Sequence, residues 1–176
     1  MHESLDPASP QARLILVMGV AGSGKTTIGK RLAARLAYTF IDADDFHTSE
    51  AVARMRSGVP LSDEMRDEWI ERVAAALAEH YRQRTNCVLA FSGLRARHRR
   101  RLMQLGFRTS AFLLSGERRL LAQRIAGRHD HFMPARQLPR QLATMEPVQA
   151  SENIASVDID AEPDAIVDAL VAKLAS

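Results

Sequence analysis

The chain has 176 residues, 46% of them hydrophobic and 26% charged, with a formal net charge of +3. That is enough chain for one domain with a real core, and no apolar run approaches the roughly 20 residues that a membrane-crossing helix needs. The single cysteine, Cys87, excludes an internal disulfide framework and agrees with a reducing cytoplasm, while so small a net charge does not by itself indicate nucleic acid.

Residues 1–12, MHESLDPASPQA, are polar and lack the apolar stretch of a signal peptide, so they are expected to form a loose lead-in. RLILVMG (13–19) predicts a buried strand, followed by the loop GVAGSGKTT and a helix over Lys25–Leu36. TFIDAD (39–44) predicts a second strand lying beside the first and ending in acids. A short helix is expected from about Ser49 to Ser57, stopped by Gly58 and Pro60. From Asp63 a long helix follows, with Met65, Trp69, Val73 and Leu77 along one face. NCVLAFS (86–92) predicts a third strand, in which Cys87 is a small buried hydrophobe rather than a nucleophile. SAFLLS (110–115) predicts a fourth strand, and helices are expected over Glu117 to about Arg128 and near Ala135 to Met145. SVDID (156–160) predicts a fifth strand, and a last helix from Pro163 carries Ile166, Val167, Leu170, Val171 and Leu174 on its apolar face. Strands alternating with helices imply an α/β fold with a parallel sheet covered on both faces.

The loop from Gly19 to Thr26 matches GxxxxGK[ST] in full, with a strand before it and a helix after it. Its glycines let backbone N–H groups converge on phosphate oxygens, and the following helix adds the positive end of its dipole. The motif therefore predicts ATP binding by Gly19, Val20, Ala21, Gly22, Ser23, Gly24, Lys25, Thr26 and Thr27. Within it Lys25 would reach the β- and γ-phosphates and Thr26 would ligate Mg²⁺. Of 24 Lys and Arg side chains only Lys25, Lys30 and Lys173 are lysines, so an arginine-rich chain keeps a slim point charge at this position.

DADDFH (42–47) leaves the second strand at the end where parallel sheets bind ligands. Asp42 could hold a water of the Mg²⁺ shell, and Asp44 could accept a proton from an attacking hydroxyl. The plainer reading is an acidic turn or a helix cap at Asp45. RARHRRR (95–101) has no interleaved aromatic for base stacking, so it suggests one or two substrate-facing arginines and a solvated remainder rather than a nucleic-acid surface. His129 and His131 have no Cys or further His nearby, which makes the metal reading weak, and Trp69 is expected in the core. VDID (157–160) reads as a buried strand with a polar end, possible neighbour to an adenine.

Outside the lead-in, the chain resembles gluconokinases of the small phosphate-loop type, whose pattern is GVSGSGKS, DGDxxH, GxPLxDxDRxPWL, CSALKxxYR, RxxHFM and a late LExP. The corresponding stretches here are GVAGSGKT, DADDFH, GVPLSDEMRDEW, FSGLRARHR, RHDHFM and MEP, in the same order. Met65, Glu68, Gly93, Arg95 and His98 differ from the pattern, and His129-Asp130 replaces Lys-Gly. The resemblance implies a three-layer α/β sandwich of the phosphate-loop NTPase type, with five parallel strands. Residues 13–176 would form one kinase domain, with an acceptor-binding region near 45–85 and a short lid near 124–136.

The resemblance further implies ATP-dependent phosphorylation of a sugar acid, most simply gluconate at its terminal hydroxyl, with Mg²⁺ as cofactor. Asp44, His47, Arg66, Arg95, Arg99 and His131 would contact the sugar acid, while Lys25, Asp44, Arg124 and Arg128 would carry the transfer. No nucleic acid or membrane partner is implied, and a cytoplasmic homodimer is. A shikimate-kinase-like enzyme is the nearest alternative enzyme, although FSG stands where that group shows a GGG turn. A nucleotide-binding regulator without turnover is the alternative from another class.

Overall fold

The computed structural model describes residues 11–127 and 137–175. Five parallel strands form one sheet in the order β2-β3-β1-β4-β5. They are β1 (Arg13–Met18), β2 (Thr39–Asp42), β3 (Cys87–Phe91), β4 (Arg108–Ser115) and β5 (Ile154–Asp158). The helices are α1 (Lys25–Leu36), α2 (Ser49–Arg56), α3 (Asp63–Arg82), α4 (Ala96–Met103), α5 (Arg118–Ala126), α6 (Gln137–Thr144) and α7 (Pro163–Ala175).

The two-residue period of a strand explains why both faces of this sheet are covered. In β1, Ile15 and Val17 join Ile28 and Leu32 of α1, Leu121 of α5 and Ile166 and Leu170 of α7. The alternate residues Leu14, Leu16 and Met18 join Trp69, Val73 and Leu77 of α3 and Leu102 of α4. Met65, one turn before Trp69, instead packs against the small cluster Ala51, Met55 and Leu61, which joins α2 to the start of α3. Cys87 is fully buried, and burial pushes its thiol pKa up to about 11, as suits an inert core residue.

Three features depart from the sequence-based expectations. The second strand does not lie beside the first: β3 pairs with both β1 and β2, leaving β2 at the sheet edge. Beyond Asp42 the acids leave the strand and enter a 3-10 turn, Ala43–Phe46. Of the arginines of α4, Arg97 and Arg100 are exposed as expected, but Arg99 is buried and the stretch is more paired than a solvated fringe would be. Arg97 and His98 both reach Asp67, Arg101 forms a two-point pair with Glu71, and α4 is thereby fastened along α3.

Candidate active site

The phosphate loop joins β1 to α1, and its shape depends on glycine. Gly22 has φ +82, and a Cβ there would stand 2.6 Å from the Leu121 carbonyl and 2.9 Å from Ile125 Cγ1. Neither the backbone nor the packed isoleucine can yield, so α5 closes directly on the loop at Gly22, a position that accepts no side chain. Gly24, also in the left-handed region, is the N-cap of α1 and offers no side-chain cap to its first N–H groups. Ser23 Oγ is buried and has no hydrogen-bond partner among the described residues. A glycine turn with no room for a side chain, an uncapped helix start and an unsatisfied hydroxyl fit a polyphosphate anion. Thr27 is exposed in the first turn of α1.

Asp42 connects this loop to the next element. Its Oδ2 accepts the Thr26 hydroxyl at 2.9 Å, while its Oδ1 accepts the Asp44 N–H at 3.0 Å and so caps the 3-10 turn. Thus β2 sits at the sheet edge, but its last side chain still reaches the first turn of α1. From α3, Trp69 Nε1 donates to the Ala43 carbonyl at 2.6 Å and Arg72 Nε to the Phe46 carbonyl at 2.8 Å. The turn that carries Asp44 is therefore held at both ends. Asp45 is exposed and caps nothing; Thr48 caps α2.

His47 stacks on Trp69, with ring centroids 4.5 Å apart and planes 14° apart, so Trp69 serves both core and site. Burial and the nearby Arg72 charge, only partly offset by Asp42, lower the His47 pKa to about 4. At neutral pH its ring is uncharged, and the 3.8 Å approach of Nε2 to Asp44 Oδ1 is not an ion pair. Between pH 6.5 and about 4 the unfolded chain binds a proton at this residue that the folded chain refuses. Stability should therefore fall with pH across that window, by on the order of 2 kcal/mol after allowance for solvent screening. Urea unfolding of wild type and His47→Gln at pH 7 and 4.5 checks this: the variant should lose measurably less stability on acidification, and equal losses would refute it.

Lys25, Asp44, His47, Arg66, Trp69, Ser92, Arg95 and His98 line one cavity of about 390 Å³, together with Arg140, Gln141 and Thr144 of α6. The cavity is rich in cations, as an anionic acceptor requires. Arg66 pairs with Asp63 at 3.5 Å, and Arg95 spans Asp63 and Glu146 at 3.4 Å each, distances that leave both guanidinium groups loosely held.

The structure thus gathers Lys25, Asp44, His47, Arg66 and Arg95, but not Arg99. Arg99 is fully buried: it forms a two-point pair with Glu152 at 2.7 and 2.9 Å and donates to the carbonyls of Gly93, Glu146 and Pro147. The expectation that it grips the substrate is corrected, since its donors are spent on the chain itself. Gly93, at φ +65 and with Met18 Sδ 2.8 Å from where a Cβ would stand, turns its carbonyl to this guanidinium. Arg124 also lies outside the cavity, in the last turn of α5, where its Nη2 donates to the Ile159 carbonyl at 2.8 Å. Arg128 and His131 lie outside the described residues, as does the His129–His131 pair. Asp158 and Asp160 line a second cavity with Ser115, Glu117 and Gln123. Arg140, Gln141 and Thr144 were not anticipated, although a Gln among Leu138, Leu142 and Met145 on an otherwise apolar helix face was a signal.

A phosphate cradle opening onto a cationic cavity that also holds a carboxylate defines a phosphate-loop kinase. A family model described as an AAA domain matches residues 14–148. The chain belongs to the gluconokinase family: it is 36% identical over 146 residues to the thermosensitive gluconokinase of Escherichia coli K12, covering 82% of this chain and 78% of that one. The probable gluconokinase of Xenopus tropicalis is 33% identical over 169 residues, covering 88% and 89% of the two chains. A gluconokinase structure from Sinorhizobium meliloti 1021 superposes with a TM-score of 0.80 at 33% identity, over 95% of this chain and 94% of that one.

Proposed function

We propose that this enzyme transfers the γ-phosphoryl group of ATP to the terminal hydroxyl of gluconate, giving 6-phosphogluconate. The observation that carries the reading is a single cavity lined by Lys25 and Asp44 together with Arg66 and Arg95. Chemistry asks for that arrangement: a carboxylate to receive the hydroxyl proton, and arginine forks for the acid group of the acceptor. ATP, bound by Gly19 to Thr27, supplies the phosphoryl group, and a Mg²⁺ ion held by Thr26 and, through water, by Asp42 would offset its charge.

The protein's own part is placement. Lys25 sets a positive charge where the phosphates meet the acceptor. Asp44 orients the hydroxyl and takes its proton as the oxygen attacks phosphorus and ADP leaves. His47, uncharged at neutral pH, exchanges hydrogen bonds with an acceptor hydroxyl, while Arg66 and Arg95 hold the carboxylate. Arg124, Arg128 and His131 complete the reading by the family pattern, Arg124 from the nucleotide side. A cytoplasmic setting and a homodimer belong to the same reading.

An ADP-release assay with gluconate, other sugar acids, shikimate and nucleoside monophosphates tests it. Gluconate should give the highest kcat/KM. Preferential turnover of shikimate or a nucleotide would overturn the substrate assignment, and ATP binding without turnover on any acceptor would overturn the kinase reading.

A further inference from the structure

We infer that Gln141 is a positioning residue that ties the phosphate loop to the wall of the acceptor cavity, so that nucleotide and acceptor favour each other's binding. The inference rests on the sugar-acid kinase reading above and extends it to a residue that touches the donor side and the acceptor side at once.

Gln141 is only 9% exposed, and its Oε1 accepts the Ala21 N–H at 2.6 Å across 120 residues of sequence. Ala21 is the third residue of the phosphate loop, so this bond holds the backbone of the loop itself. The neighbouring Arg140 turns the other way, its Nη1 donating to the Gly58 carbonyl in the turn between α2 and α3. Pro60 and Leu61 of that turn line the acceptor cavity, as do Arg140, Ala143 and Thr144. Consecutive residues of α6 therefore hold the acceptor region and the phosphate loop.

The helix that bears these two attachments is firmly seated. Leu138 is buried in the same core cluster as Val20 of the phosphate loop, and just beyond α6 the Glu146 N–H donates to the Leu94 carbonyl at 2.7 Å. The Glu146 carboxylate also takes the Ala96 N–H at 2.7 Å and approaches Arg95 at 3.4 Å. An acceptor that settles against Arg95, Arg140 and Thr144 restrains α6, and the Gln141 amide passes that restraint to Ala21. A nucleotide that orders the loop restrains α6 in return. The favour must be equal in both directions, because a coupling free energy is reciprocal.

The test is the affinity for gluconate with and without a non-hydrolysable ATP analogue, and the converse titration, by calorimetry. In wild type each ligand should tighten the other by the same factor, about fivefold or more. Gln141→Met keeps the volume but offers no oxygen to Ala21, and should bring the factor to about one, whatever it does to the affinity for either ligand alone. Gln141→Glu retains an acceptor oxygen and should keep the coupling, although its charge weakens nucleotide binding. If Gln141→Met does not fold, Gln141→Asn, one methylene too short, makes the same deletion. A coupling factor unchanged in the deletion variant overturns the inference, as does an uncoupled wild type. A merely structural role would lower the melting temperature or both affinities and leave the factor intact. Wild-type turnover is scored first: its absence on gluconate overturns the substrate reading alone, and the factor is then read with the sugar acid that is turned over.

Discussion

Asp44→Asn is expected to lower kcat by about 10²- to 10⁴-fold, roughly 3–5 kcal/mol of transition-state stabilisation, while KM for ATP stays within about threefold of wild type. The reason is that groups other than its carboxylate hold the turn carrying Asp44. Its backbone N–H is held by Asp42, and the Ala43 and Phe46 carbonyls are held by Trp69 and Arg72 from α3. An amide of the same shape therefore leaves the scaffold standing but cannot accept the hydroxyl proton. Steady-state kinetics with gluconate and ATP varied separately measure the split. Equal losses in kcat and in ATP affinity would place Asp44 on the nucleotide and not on the acceptor.

The parts of this site that were legible in the sequence are those in which chain neighbours are also spatial neighbours. The phosphate loop, its strand and the helix beginning at Lys25 form one continuous stretch, and the motif carries its own structural context. Asp44 and His47 follow β2 within a few residues, and Arg66 and Arg95 lie in stretches that match the family pattern. What escaped was side-chain pairing across long separations. Nothing near Arg99 signals that Glu152, 53 residues on, will claim its guanidinium, and the exposed charges of an amphipathic α4 look alike until α3 is laid beside it. Gln141 reaches Ala21 across 120 residues and Arg140 reaches Gly58 across 82. The order of strands is a further case. Local alternation identifies a strand, but the crossovers decide that β3 inserts between β1 and β2. Met65 illustrates the same limit: the pattern has an acid there, yet in this fold its side chain packs with Ala51, Met55 and Leu61, outside the cavity.

Arg99 and Arg66 should respond in opposite ways to loss of charge, and that contrast separates structural from substrate-facing arginines in this chain. Arg99→Met removes a buried guanidinium that holds Glu152, the Gly93 carbonyl and the adjacent Glu146 and Pro147 carbonyls. Breaking a buried pair by deleting one partner typically costs about 3–5 kcal/mol, because the remaining carboxylate and carbonyls lose their donors. In a chain of this size that corresponds to a fall of roughly 6–20 °C in Tm. The folded fraction should nevertheless keep a gluconate KM within about threefold of wild type, since Arg99 does not line the cavity. Among the described residues Arg66 is bonded only to Asp63, at 3.5 Å and partly in solvent, so Arg66→Ala should cost less than about 1 kcal/mol of stability. Its loss from the cavity should instead raise the gluconate KM by about 10- to 100-fold, the worth of a charge-assisted hydrogen bond to a carboxylate. Adding Glu152→Leu to Arg99→Met should recover part of the lost stability, because it removes the carboxylate left without its guanidinium, although the Gln149 N–H then loses its acceptor as well. Thermal unfolding and gluconate kinetics on the three variants decide the matter: a raised KM at unchanged Tm for Arg99→Met would return that residue to the substrate.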